Sequence, residues 1–261
     1  MRHAALLLLL LMMVAAAGVL LWSHGDYAAQ DREQISAPSS TQHWAGTDDL
    51  GRDRAVRVAA ALLLGLGGAA AASAIAAALA AAVGVSAAFA PEPLARGLLY
   101  LCDLFLTLPW LFLLMTVRSA LPLTLAPLQS AAVTFLLLAA LGWPAYARVT
   151  YAGTKRIRNS DWFLQARACG VKPGRVAIRQ VLPHLRPLLL TQFLLCVPAF
   201  LVAEANLGTL GMGISEPLPS WGAMLLELER SSAFSGSGWV FLPIVLLIAV
   251  LLLLQLLVHE V

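Results

Sequence analysis

Apolar residues are gathered into six long runs, and the polar positions fall between the runs instead of alternating with them. The runs cover residues 4–22, 59–85, 98–117, 131–149, 188–203 and 239–258. A helix needs roughly 20 residues to cross about 30 Å of hydrocarbon, so each run predicts a membrane-spanning helix. The fifth is short and predicts a helix that continues a few residues past Glu204. The second, nearly all Ala, Gly, Leu and Val, exceeds the crossing length and predicts a tilted helix. Its Gly65-Leu66-Gly67-Gly68-Ala69 stretch and the alanines beyond repeat small residues at four-residue spacing. Such a face lets helix backbones approach closely, although alanine-rich genomic composition would give the same pattern. The first run follows Arg2 and His3, as a signal peptide would. It continues through Leu20-Leu21-Trp22, well past the small residues Ala15-Ala16-Ala17, and so reads as a retained helix.

Composition removes whole classes of function. Of 261 residues, 60% are hydrophobic and only 12% charged, with mean hydropathy +0.82. A soluble domain carries roughly a quarter of its residues as charges. A purely soluble enzyme, a disordered tail and a nucleic-acid module are therefore excluded. The net charge of +3 is small, so its distribution decides more than its sum. Nine of the seventeen Lys and Arg residues lie between Arg148 and Arg186, opposed only by Asp161. Basic loops stay cytoplasmic, which places this loop inside. Residues 24–57 carry six acids and four arginines, as an outer loop would. Six helices with both termini cytoplasmic satisfy every loop, and without the first helix the other five keep their direction.

Two loops carry further information. In the outer one, His43-Trp44-Ala45-Gly46-Thr47-Asp48-Asp49-Leu50-Gly51-Arg52-Asp53 has acids spaced as if for calcium. It lacks the alternating acids, central Gly and terminal Glu that a calcium loop needs. A turn held by the Thr47 and Asp48 side chains, with Arg52 paired to an acid, accounts for it. In the basic loop, Ser160 or Asn159 caps a helix running from Asp161 to Cys169, and Gly170 suits its C-terminus. Pro173 opens a second short helix over 174–182, which Pro183 closes. Trp162, Phe163, Ala166 and Cys169 recur at helical spacing and form an apolar face opposite a basic one. A loop lying on the membrane and anchored to anionic lipid through its arginines is the plainer alternative.

The run Leu164-Gln165-Ala166-Arg167-Ala168-Cys169-Gly170, followed by Arg179-Gln180-Val181-Leu182-Pro183, resembles the "EAA" loop of binding-protein-dependent ABC importer permeases. Ala166, Gly170, Leu182 and Pro183 agree with the family pattern, while Leu164 and Gln165 replace its Glu and next Ala. Gly46-Thr47-Asp48, Gly51-Arg52-Asp53, Gly142-Trp143-Pro144 with Tyr146-Ala147-Arg148, and Pro219-Ser220-Trp221-Gly222 with Met224-Leu225 narrow the likeness. Together with Asp103 and Pro109, these resemble the permeases for dipeptides, oligopeptides and nickel. The ordered set extends from His43 to the last apolar run. The family pattern continues into a polar tail where this sequence reads His259-Glu260-Val261. The resemblance implies an all-α membrane protein with about six spans in the type I ABC importer arrangement. It also implies that residues Trp162 to Gly170, with Arg179, Leu182 and Pro183, couple to an ATPase. The implied partners are a second permease, two ATPase subunits that bind ATP and Mg, and an extracytoplasmic substrate-binding protein. The expected location is the bacterial inner membrane.

No chemistry of the chain's own competes with that reading. The sequence has no G-x-x-x-x-G-K-[ST], no H-E-x-x-H and no G-x-S-x-G; Gly153-Thr154-Lys155 lacks the upstream glycine. Ser237 belongs to an outer loop while His184 and His259 fall near the inner face, so no intramembrane serine site assembles. Cys102, Cys169 and Cys196 have no C-x-x-C spacing and predict neither disulfide nor zinc. Neither a catalytic residue nor a bound cofactor or metal is expected. Asp103 and Glu204 are ionisable residues in or beside apolar runs, which is costly and usually means a protein or water neighbour. They line the substrate path or bond one helix to another; the second is favoured, because the resemblance holds at both positions whatever the substrate. The expected organisation is a helix over 1–22, an outer loop over 23–57 and a five-helix permease core over 58–258. That core includes the coupling loop 151–187 and an outer loop 205–238.

Overall fold

The structure, a computed structural model, describes residues 2–122, 125–169, 173–230 and 238–258. Gly170, Ser237 and His259, all singled out above, lie outside the described residues, as do the side chains of Arg167 and Ala168. The helices are α1 (Arg2–Trp22), α2 (Arg54–Phe89), α3 (Glu92–Thr107), α4 (Trp110–Ser119), α5 (Pro127–Arg158), α6 (Asp161–Ala168), α7 (Pro173–Val176), α8 (Leu182–His184), α9 (Arg186–Thr209), α10 (Trp221–Arg230) and α11 (Leu242–Val258). A π turn, Ala177–Val181, joins α7 to α8, and a 3-10 turn, Gly238–Phe241, leads into α11. Among the described residues the only β contact is an isolated bridge between Thr47 and Asp53.

Five of the helices are long and apolar enough to cross a membrane: those within α1, α2, α5 and α9, and the stretch Trp239–Val258. The third apolar run departs from expectation. It is not one helix but two, α3 and α4, which meet at 86°. The break falls at Leu108 and Pro109, both in extended backbone (φ −86°, ψ 135° and φ −60°, ψ 108°). Proline has no N–H to donate and its ring disfavours a helical residue before it. Counted as one broken crossing, the pair restores six spans. The fifth run does continue beyond Glu204, to Thr209.

The bundle is built around α2, which packs against α1, α3, α5 and α9. From Gly65 onward its inner face is small: Ala69, Ala72, Ala76, Ala80 and Ala87 are essentially inaccessible. The Phe135 ring of α5 lies where a side chain on Gly68 would be. At Gly84 a Cβ would come within 2.6 Å of the Ala147 carbonyl oxygen and 2.8 Å of Thr150. The four-residue spacing of small residues is therefore a packing face.

At 36 residues, α2 is about 54 Å long, so its ends lie far apart. Arg54 and Arg57, at its start, meet acids of the 216–227 region. Phe89, at its end, meets Phe163 of α6 and Arg158 of α5. The chain thus gathers its two information-rich loops at opposite ends of one bundle.

Substitution at two glycines of α2 separates backbone approach from mere composition. Gly84→Val should cost about 1–3 kcal/mol as an overpacking change. Gly67, with nothing within 4 Å of its Cβ direction, should accept alanine with unchanged or slightly raised stability. Thermal unfolding of the two variants in detergent checks the contrast, and equal effects would remove the packing face.

Candidate functional site

At the basic end, α5 finishes with Lys155, Arg156 and Arg158, and Asn159 caps it. The Ser160 hydroxyl donates back to the Ile157 carbonyl (2.6 Å), so its side chain serves the end of α5 and not the start of α6. Pro183 does not close the second short helix, which runs on through His184. The missing proline N–H is absorbed by widening the turn before it: the Leu182 N–H donates five residues back, to Ala177.

The expected apolar face of this segment divides in two. Phe163 is buried (1% exposed) with Val176, Val181 and Leu185, and its ring stands 6.0 Å from Phe89 of α2. Phe163 therefore fixes the segment to the bundle and is not available to an outside groove. Trp162 keeps an open edge and stacks on His184 at 4.9 Å. The His184 Nδ1 donates to the Gln180 carbonyl, which orients the ring (2.7 Å). Leu164, Ile178 and Leu182 are exposed, as are Gln165, Cys169, Arg175 and Arg179, while Ala166 is half-buried. Burial had no signature in the sequence, because the partner of Phe163 is 74 positions away, on α2.

The two intramembrane acids have neighbours on other helices. Asp103 of α3 is ion-paired with Arg148 of α5, both about half-exposed. Glu204 is completely buried beside the first turn of α10, close to the backbone of Trp221 and Gly222 and the Ser220 hydroxyl. Neither of its oxygens has a fully formed hydrogen bond. Its carboxyl group thus faces the N-terminal end of α10. Here α9 and α10 touch backbone to backbone: a Cβ on Gly222 would lie 2.3 Å from the Gly208 Cα.

The opposite end is an ion network. The Asp48 carboxylate accepts from the backbone N–H groups of Leu50 and Arg52 and from the Arg52 Nε (2.5 Å). Arg52 and Arg57 both reach Glu216, at 2.6 and 3.0 Å. The Thr47 hydroxyl donates to the Gln34 carbonyl and accepts from the Ala37 N–H. The turn expected from Thr47, Asp48 and Arg52 is therefore present. Gly51 (φ +75°) is required there, since the Asp31 carbonyl occupies its Cβ direction. Asp53 caps α2 by accepting from the Val56 N–H and also pairs with His43. Burial alone would lower the Arg52 pKa, but its bond to Asp48 and the Glu216 charge raise it above its ordinary value. Burial pushes the Glu227 carboxyl up, and its partner Arg54 offsets this only in part.

Four residues of this end escaped the sequence reading: Arg57, Arg118, Glu216 and Glu227. Arg118 closes α4 and donates to the carbonyls of Met212 and Gly213 and to the Ser130 hydroxyl. A charge at the margin of an apolar run was the available signal for Arg57 and Arg118. A cavity of about 530 Å³ opens between these parts, walled by Asp49, Arg52, Arg118, Glu216 and Glu227.

The network predicts unequal costs. Asp48 is 1% exposed between two arginines, and Asp48→Asn should cost about 3–5 kcal/mol by leaving buried charge uncompensated. Glu216 is half-exposed, and Glu216→Gln should cost about 1 kcal/mol or less. Unfolding temperatures at low and high salt check the order; a larger loss for Glu216→Gln would overturn it.

Residues 80–261 match the family described as "Binding-protein-dependent transport system inner membrane component". The oligopeptide transport system permease protein OppC of Bacillus subtilis is 26% identical over 204 residues, 78% of this chain and 65% of that protein. The dipeptide transport system permease protein DppC of the same organism is 27% identical, over 82% of this chain and 65% of its own length. The chain thus spans just under two thirds of both. OppC of Mycobacterium tuberculosis is 30% identical over 228 residues, 86% of this chain and 76% of that protein. With its bundle of apolar helices and this match over most of its length, the chain belongs to the binding-protein-dependent transport system inner membrane component family.

Proposed function

We propose that this chain is a permease subunit of an ATP-driven importer for peptides, working by alternating access. It pairs with a second permease, receives substrate from an extracytoplasmic binding protein, and is driven by two ATPase subunits that hold ATP and Mg. The basic end is cytoplasmic, with both termini on that side, by the distribution of Lys and Arg. Relatives named for oligopeptides and dipeptides favour a peptide over nickel.

The observation that carries the reading is the two-sided segment 161–184. One side is locked to α2 through Phe163, Val176 and Val181. The other leaves Trp162, Leu164, Ile178 and Leu182 bare. A body that is fixed to the longest helix and exposes these apolar side chains among Arg175 and Arg179 suits the transfer of a push from a docked ATPase. Leu164 stands at the family's Glu, so the contact relies on apolar burial more than on charge.

Two experiments test the proposal. Cysteine placed at Ser160 should be protected from an impermeant reagent in intact cells and labelled after permeabilisation; labelling from outside would reverse the topology. The ATPase should co-purify with wild type even at about 1 M salt, where screening reaches about 3 Å. Leu164→Asp with Ile178→Asp should release the ATPase and abolish peptide uptake while membrane insertion persists. Undiminished uptake in that variant would show that coupling lies elsewhere.

A further inference from the structure

Most polar side chains within the spanning helices have an evident partner. The hydroxyls of Thr107, Thr116 and Thr191 donate to carbonyls about one turn back, and Gln192 is buried against Thr150 and the Tyr146 carbonyl. Asn206 of α9 and Gln255 of α11 differ. Both are exposed, and among the described residues neither side chain has a hydrogen-bond partner. An unpaired carboxamide is costly in hydrocarbon, so a polar group left bare on a spanning helix faces protein or water.

The two are not scattered. Although carried by different helices, they line one recess of about 460 Å³ between α4, α9 and α11. Trp110, whose ring stacks on Phe200 at 6.2 Å, forms part of the wall with Ala199 and Val202. Pro198 also lines it and, having no N–H, leaves the Leu194 carbonyl without its helical partner. No charged side chain contributes to the lining among the described residues. An apolar recess with a few uncharged donors and acceptors has the make-up of a site that orients a ligand.

Hydrogen-bond chemistry selects the occupant. A carboxamide offers N–H donors and a C=O acceptor together, the complement of what a peptide group presents. An uncharged site of this kind grips main chain and ignores side-chain charge, as the carriage of peptides of varied sequence requires. A helix of another subunit has its own main-chain groups tied up in its ladder, so it could answer Asn206 and Gln255 only with polar side chains. An acyl chain offers them nothing.

We propose that this recess is a station on the solute path, where Asn206 and Gln255 hydrogen-bond to the main chain of a peptide in transit. This station rests on the peptide importer proposed above and supplies the groups that hold its cargo inside the membrane.

The complete assembly, reconstituted in vesicles with its binding protein, is tested with radiolabelled di- to pentaalanine. Asn206→Leu and Gln255→Leu should each lower uptake about fivefold, the weight of one hydrogen bond, while the ATPase still co-purifies. Cysteine at either position should react with a water-soluble thiol reagent faster than Val14→Cys on the exposed face of α1, with the modified sites mapped by mass spectrometry. Peptide added with ATP should slow that reaction severalfold. Unchanged uptake in both leucine variants would overturn the proposal, as would cysteines that peptide leaves unprotected. Cross-linking of Asn206→Cys to the second permease, indifferent to added peptide, would assign the recess to the subunit contact and overturn it equally. A wild-type assembly that moves no peptide would overturn the importer reading itself, whereas wild-type uptake with unaffected variants overturns only the station.

Discussion

The close approach of α2 to its neighbours governs the architecture. In hydrocarbon there is no water to expel, so helices associate through contact and not through the hydrophobic effect. Contact is largest where backbones touch, and α2 permits this from Gly65 onward by burying only Gly, Ala and Ser. At Gly84 the nearest atom is a backbone oxygen of α5, that of Ala147. Larger residues are then free to fill the gaps from the other side, as Phe135 does over Gly68. The long alanine-rich helix that seemed bland in the sequence is the spine of the molecule.

Because α2 outruns the membrane, both of its ends enter aqueous territory, and each end is fastened by different physics. At its start the fastening is ionic: Asp48, Arg52, Arg57 and Glu216 tie the motif before α2 to the loop before α10. Such a network sets a specific geometry, since the planar guanidinium of arginine offers its donors in a fixed fork. At its end the fastening is apolar, through Phe89 and Phe163. Apolar contact is less directional, and a short helix held by it can shift without breaking a hydrogen bond. One spine thus joins a geometrically exacting end to a more tolerant one.

Much of this was legible in the sequence because the solvent imposes it. Runs of about 20 apolar residues have few fates in a bilayer, and the Thr47-Asp48 turn follows from side chains that bond their own backbone. What the sequence withheld depended on distant partners. Phe163 and Trp162 are adjacent aromatics with similar local surroundings, yet one is core and the other surface, decided by where α2 ends. Glu216 sits in an unremarkable loop and acquires meaning only when Arg52 and Arg57, more than 150 positions earlier, converge on it. Asp103 and Glu204 announced themselves by cost, and each has its neighbour on another helix, Arg148 or α10.

The broken crossing shows why hydropathy and helix continuity are separate questions. Residues 98–117 are apolar enough to count as one span, and hydropathy registers nothing at Pro109. The backbone does, because Leu108 and Pro109 leave the helical region together. A break inside hydrocarbon is tolerated only where other protein covers the freed polar groups. Each half here is held to the bundle separately, α3 by the Asp103–Arg148 pair and α4 by Arg118 on the Met212 and Gly213 carbonyls. With independent anchors on either side, two non-helical residues between them and no shared helical ladder, the two halves need not move as one rod. The two joints therefore differ in kind: α2 and α5 meet at close backbone approach, whereas α3 and α4 are joined through two non-helical residues, Leu108 and Pro109.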